Sequence, residues 1–309
     1  MNTGLEGKTV LVVESVNNFG RPTAVAFAKE GANLVLASAQ SSEDLEETAR
    51  QVSDQGVRVI TGACATGNDS QLSQLAQRGV AEFGHLDVLV NNTILAVAPQ
   101  SFSDLTFNSW KQKIETELQG SFFICQGILP LMVENNWGRV INYSGLAAFQ
   151  GSDAGSSASE FGIIGLTRGI AREYGKHNIT ANCICPGGAQ APGESAAQVY
   201  PPSESDPMPR WGKPKEIAYL AVTIAAEDAG YLTGQCLMAN GGKYLLLPLA
   251  VSAFDPHHLS LLEGSGYLLQ PNPIRRRMIR AVGASQTLEV PRPLGQVPSE
   301  VNDHRVERA

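Results

Sequence analysis

Seven short, nearly unbroken apolar runs punctuate the chain: Thr9–Val13, Asn33–Ala37, Val57–Thr61, Leu86–Val90, Arg139–Tyr143, Ile179–Cys185 and Gly234–Ala239. Runs of this length without polar alternation fit strands covered on both faces. Between them lie segments with helical spacing of apolar positions: Pro22–Glu30, Ser42–Asp54, Asp69–Phe83, Thr106–Glu134, Ser156–Lys176 and Pro214–Glu227. Ser41-Ser42-Glu43-Asp44 reads as a capped helix start, and Gly31, Gly56 and Gly84 as helix ends. Strands alternating with helices predict an α/β fold: a doubly wound parallel Rossmann-type sheet of about seven strands, with helices on both faces. That domain is expected over 1–244, followed by a C-terminal extension over 245–309.

The extension has a different texture. It carries prolines at 248, 256, 271, 273, 291, 293 and 298 and a basic knot, Arg275-Arg276-Arg277 with Arg280. This composition predicts a partly disordered tail, disordered beyond about Val290. An arm that packs on a neighbouring subunit or covers its site is the other reading of 245–285.

Composition narrows the class of protein. The 43% hydrophobic content over 309 residues suffices for a large core. The net charge of −7 is spread out, which argues against nucleic acid. No apolar run approaches the ~20 residues that span a bilayer, and the N-terminus lacks a signal peptide's apolar segment. Five cysteines without framework spacing fit a reducing compartment, so a soluble cytoplasmic protein is expected. Cys183 and Cys185 face one way on one strand; without a second Cys/His pair nearby they read as packing, and no metal is expected. His257-His258 reads as a surface pair in a proline-flanked loop. The long loop from Gly187 to Pro209 could lid a pocket.

Several stretches together resemble the short-chain dehydrogenase/reductase family. They are Gly7–Val13, Phe83–Asn92 with its Asn-Asn turn, Gly138–Asn142, Gly162–Glu173, Asn178–Asn182 with Cys185-Pro-Gly-Gly188, and Tyr231–Gln235 with Asn240-Gly-Gly242. The resemblance covers about 5–244 in the family's order. It implies a nicotinamide cofactor held by a Thr-Gly-x-x-x-Gly-x-Gly turn, and carbonyl chemistry by Asn, Ser, Tyr and Lys.

The chain departs from that pattern at the positions that bear chemistry. The turn's places fall at Val13, Glu14, Asn18 and Gly20, so one packing glycine remains and a carboxylate stands near the expected diphosphate. The acidic ribose holder after strand two falls at Ser38, the Asp after strand three at Ala65, and the Asn-Asn-Ala-Gly turn reads Asn91-Asn92-Thr93-Ile94. The Asn position falls at Glu117, the Ser position at Gly145 beside Ser144, and the Tyr-x-x-x-Lys pair at Ser156 and Glu160. No tyrosine lies between Tyr143 and Tyr174, and no lysine between Lys113 and Lys176. These departures lead to an expectation of no bound cofactor, or NAD(P) if any.

Two carboxylates facing one pocket would share a proton and form an acid/base pair. With Tyr143, Ser144 and Ser156 as donors, Glu117 and Glu160 would support lyase or isomerase chemistry. The same residues have ordinary structural uses. Glu160 can cap the helix from Phe161, Glu117 can pair with Lys111 or Lys113, and Tyr143 can fill the core. Three readings follow in order: a non-catalytic subunit of a homo- or hetero-oligomer, assembled through the 156–176 helix and last strand; a cofactor-independent lyase or isomerase acting on a small molecule; and an atypical NAD(P)-dependent oxidoreductase.

Overall fold

A computed structural model describes residues 2–16, 19–39, 42–64, 69–94, 100–190 and 201–245. Seven strands form one parallel sheet: β1 Thr9–Val13, β2 Asn33–Ser38, β3 Val59–Ala63, β4 Val88–Asn91, β5 Gly138–Tyr143, β6 Ile179–Pro186 and β7 Cys236–Ala239. Their spatial order is β3-β2-β1-β4-β5-β6-β7, so the chain reverses direction of winding between β1 and β4. The carboxyl ends of strands at that switch point form the crevice where open α/β sheets place their ligands.

Side chains alternate across the sheet and feed two cores. Val10 and Val12 join Leu34, Leu36, Val88 and Val90 against α1 (Gly20–Lys29) and α8 (Pro214–Ala225). Leu11 and Val13 join Val35, Leu89 and Val140 against α3 (Asp69–Phe83) and the helices after it. Because both faces are covered, the strands read as unbroken apolar runs. α2 (Ser42–Ser53) flanks α1, and Gly31 ends α1 with φ +81°, in the left-handed region that suits glycine.

The predicted strands and helices are found, with shifted bounds at β3, β4 and β7, which begin two residues later than expected. The largest difference is in the expected Thr106–Glu134 helix. It is built as α4 (Phe107–Lys113), a π-helical turn over Ile114–Gln119, and α5 (Gly120–Asn135), which contains Pro130. A short helix α6 (Ala147–Gln150), not predicted, precedes α7 (Ala154–Tyr174). Asp153 caps α7, its carboxylate accepting the Ser156 N–H at 2.9 Å. The partly disordered extension expected after 245 lies outside the described residues, as do Asn18 and Ala65. Among the described residues no helix is long and apolar enough to cross a membrane.

Candidate functional site

The crevice contains two groups of the residues singled out above. At the end of β1, Glu14 takes a left-handed backbone conformation, φ +54°, and is buried. The conformation disfavours side chains with a Cβ, at roughly 1–2 kcal/mol for a residue other than glycine. Its carboxylate accepts a hydrogen bond from the Ser38 hydroxyl at 3.3 Å, tying the ends of β1 and β2 together. The Asn92 side-chain nitrogen lies 3.5 Å from the Glu14 carbonyl oxygen. Gly20 begins α1 directly over this turn. A Cβ there would sit 2.0 Å from the Glu14 carbonyl oxygen and 2.8 Å from Ser15 Cα. Only glycine lets α1 start so close to the strand end.

The second group is an ionic cluster between the π turn and α7. Lys113 and Glu117 stand four residues apart, and Lys113 Nζ is 3.0 Å from Glu117 Oε1. Both are buried, Glu117 completely. The π turn adds a residue to the helical repeat and carries Glu117 inward beneath α7. The Ser159 hydroxyl donates to the other Glu117 oxygen and also lies 3.2 Å from the Ser156 carbonyl. Ser121 and Thr93 donate to the Glu117 backbone carbonyl, at 2.5 and 3.5 Å.

Glu160, next along α7, faces the end of β5. Its carboxylate accepts the Ala148 N–H at 3.2 Å, at the start of α6. A Cβ on Gly145 would lie 2.6 Å from each of its carboxylate oxygens. The absence of a side chain at 145 is therefore what makes room for this carboxylate. Burial, and secondly the neighbouring Glu117 charge, push the Glu160 carboxyl up to about 7. Glu160 can therefore gain or lose a proton near neutral pH. The cluster can store and release a proton, but Glu160 is only slightly exposed and Glu117 has no exposure at all.

Several sequence expectations are corrected here. Tyr143 does not join the carboxylates. It points to the opposite face of the sheet, where its hydroxyl is 3.1 Å from Thr23 Oγ1 and its ring stacks on Phe19 at 5.8 Å. Strand alternation explains this, since Ile141 and Tyr143 share the face turned to α1 and α8. Ser156 is not the donor to Glu117; Ser159, a turn further on, is. Ser144 reaches α7 through the Glu160 backbone carbonyl, at 2.9 Å, and not through a carboxylate. Glu160 caps α6 rather than α7. The expected pairing of Glu117 with Lys113 is found, and it puts a buried cation beside the carboxylates. Ser159 is the residue not anticipated; its signal is that it stands three residues after Ser156, on the same helical face. Among the described residues no group of three or more His, Cys, Asp or Glu is placed to hold a metal.

The family model described as Enoyl-(Acyl carrier protein) reductase matches residues 13–243. Similar curated proteins include the (2S)-[(R)-hydroxy(phenyl)methyl]succinyl-CoA dehydrogenase subunit BbsD of Thauera aromatica. It is 30% identical over 248 residues, which are 78% of this chain and 98% of that protein. The 3-oxoacyl-[acyl-carrier-protein] reductase FabG of Thermotoga maritima is 28% identical over 246 residues, 77% of this chain and 98% of its own. Among solved structures, NAD+-bound xylitol dehydrogenase has TM-score 0.72 and 25% identity, covering 77% of this chain and 99% of that one. A Serratia marcescens short-chain dehydrogenase/reductase has TM-score 0.69 and 27% identity, covering 77% and 98%. The sheet order, the crevice at its switch point and these matches agree, and the chain belongs to the short-chain dehydrogenase/reductase family.

Proposed function

We propose that this chain is a non-redox member of its family that serves as the non-catalytic subunit of an oxidoreductase assembly. The observation that carries the reading is the buried cluster of Lys113, Glu117, Ser159 and Glu160. It fills, with groups bonded to one another, the place where the resemblance sets Asn, Ser, Tyr and Lys. A phenol with a neighbouring lysine is what tunes proton transfer to a carbonyl near neutral pH. Here the nearest tyrosine, Tyr143, is spent on Thr23 across the sheet. Burial raises its pKa to about 12.

The position of Glu14 supports the reading without a dinucleotide. The Glu14 carboxylate stands with Ser38 where the resemblance sets the phosphates and ribose, and like charges in a poorly solvated crevice repel. A partner role is supported by the printed name of the Thauera relative, a subunit of a dehydrogenase. Exposed aromatic side chains support it too: Phe107 and Trp110 on α4, Phe122 on α5 and Phe161 on α7 offer a helical face to another subunit.

The test is co-expression of the full chain with a family member that retains Tyr and Lys. Sedimentation would report a mixed complex, and nicotinamide turnover would reside in the partner alone. Calorimetric titration of the isolated chain with NADH and NADPH should give no heat of binding. Micromolar binding of either would overturn the reading and favour an atypical NAD(P)-dependent oxidoreductase, the activity class of its named relatives. One observation favours a cofactor-independent lyase or isomerase: the raised Glu160 carboxyl is suited to carry a proton near pH 7. Turnover of a small molecule that Glu160→Gln abolishes would establish that second reading.

A further inference from the structure

Three of the five cysteines meet where the edge strand joins the sheet. In the parallel pairing of β6 with β7, Cys236 stands opposite Cys183, and Cys185 opposite Met238. Cys185 Sγ and Cys236 Sγ are 3.1 Å apart. Cys183 and Cys185 pack with Ile163 and Ile164 of α7, and Cys236 borders that group. Cys64, Cys125, Cys183 and Cys185 are buried; Cys236 alone is not. Among the described residues β7 is half-buried along its length and pairs with β6 alone. The sulfurs stand about 1 Å beyond a disulfide bond of about 2.05 Å, and because the register sets Cys185 two positions along from the partner of Cys236, closing the bond requires the edge strand to move along β6.

We propose that Cys236 is an oxidation site for peroxides, and that Cys185 resolves it by closing a disulfide between β6 and β7. In the first step the Cys236 thiolate sulfur attacks one peroxide oxygen. The O–O bond breaks, hydroxide leaves and is protonated to water, and Cys236 becomes a sulfenic acid. In the second step the Cys185 sulfur attacks the Cys236 sulfur and the S–O bond breaks. The departing hydroxide takes the Cys185 proton and leaves as a second water. Two thiols lose two electrons in all, and one peroxide becomes two waters. The surroundings suit these roles. Thiol hydrogen bonds from Cys183 and then Cys185 hold the Cys236 pKa well below the ordinary thiol range, against the effect of partial burial. Against a hydrogen bond to Cys183 that lowers it, the hydrogen bond to Cys236 and burial hold Cys185 above the ordinary thiol range, so it reacts as a thiol whose proton goes to the departing hydroxide. Cys125 packs in the other core, away from this group.

The experiment is hydrogen peroxide titration of the reduced full chain, read by intact mass and by peptide mapping without reductant. The expected product has lost two hydrogens and yields one linked peptide pair joining Cys185 to Cys236. Cys183→Ser should keep that link. Cys185→Ser should stop at a Cys236 sulfenic acid that a dimedone-type reagent captures, and Cys236→Ser should abolish both species. Cys185→Ala is the second variant should serine unsettle the buried position. No loss of hydrogens, a link confined to pairs of chains, or a link that survives Cys236→Ser would each overturn the proposal. So would loss of the link in Cys183→Ser with retention in Cys185→Ser.

Discussion

Replacing Glu160 by Gln asks whether the buried cluster holds a proton. Burial first, and the Glu117 charge second, push the Glu160 carboxyl from an ordinary 4.5 to about 7 in the folded chain. A carboxyl with a higher pKa folded than unfolded keeps its proton in the native state after the unfolded chain has lost it. Stability therefore falls as pH rises between the two values. The contribution is complete below about 4.5, declines across the interval and is gone above about 7. At about 1.4 kcal/mol per pH unit, the span from 4.5 to about 7 amounts to roughly 3 kcal/mol. The substituted amide would carry no charge at any pH and would still offer an oxygen to the Ala148 N–H. Urea unfolding of both proteins from about pH 5 to about pH 8 isolates the effect, because other titrating groups cancel in the difference. Relative to wild type, Glu160→Gln should gain up to about 3 kcal/mol across that range. Parallel stability curves for the two proteins would show that Glu160 titrates as an ordinary solvated carboxylate, and the account of a raised, buried carboxyl would be wrong.

The remaining predictions bear on the frame around the site. Glu117→Ala strands the Lys113 ammonium in the interior and should cost about 3–5 kcal/mol. Adding Lys113→Met should recover most of that, and a single-variant loss no larger than that of a surface pair would refute the buried-pair reading. Gly20→Ala sets a methyl group against backbone at 2.0 Å and must push α1 away from β1. It should cost at least about 1–3 kcal/mol in denaturant unfolding, and a wild-type midpoint would contradict the close approach. Tyr143→Phe should lose about 1 kcal/mol and no activity, since Thr23 keeps its bond to the Phe19 carbonyl at 2.7 Å. An activity loss without a stability loss would return Tyr143 to the site.

The fold was legible because burial on both faces leaves unbroken apolar runs that nothing else in the chain imitates. β1 is found at the residues read for it, and the later start of β3, β4 and β7 reflects strand pairing, which no single run encodes. The site was legible only as a set of positions. That Glu117 and Glu160 belong together could be read from the resemblance, but their partners depend on backbone detail. The π turn at Ile114–Gln119 interrupts the helical repeat in a segment of mixed polarity without a sequence signature, yet it carries Glu117 inward to Lys113. The helix α6, only four residues long, is too short for periodicity to reveal, so the role of Glu160 as its cap could not be foreseen. Tyr143 was misplaced for a different reason: a residue at the end of a continuous apolar strand gives no clue to which face it takes. Only counting inward from a fixed partner decides that, and Ile141 against α1 is such a partner.

The fit between Gly145 and Glu160 couples the two positions. A serine at 145 would meet a carboxylate already lodged in its space, and shortening Glu160 first would open a polar void above Gly145 and uncap α6. A side chain added at 145 would therefore act through Glu160: the flexible end of that carboxylate must swing aside and release the Ala148 N–H, so the start of α6 answers to position 145.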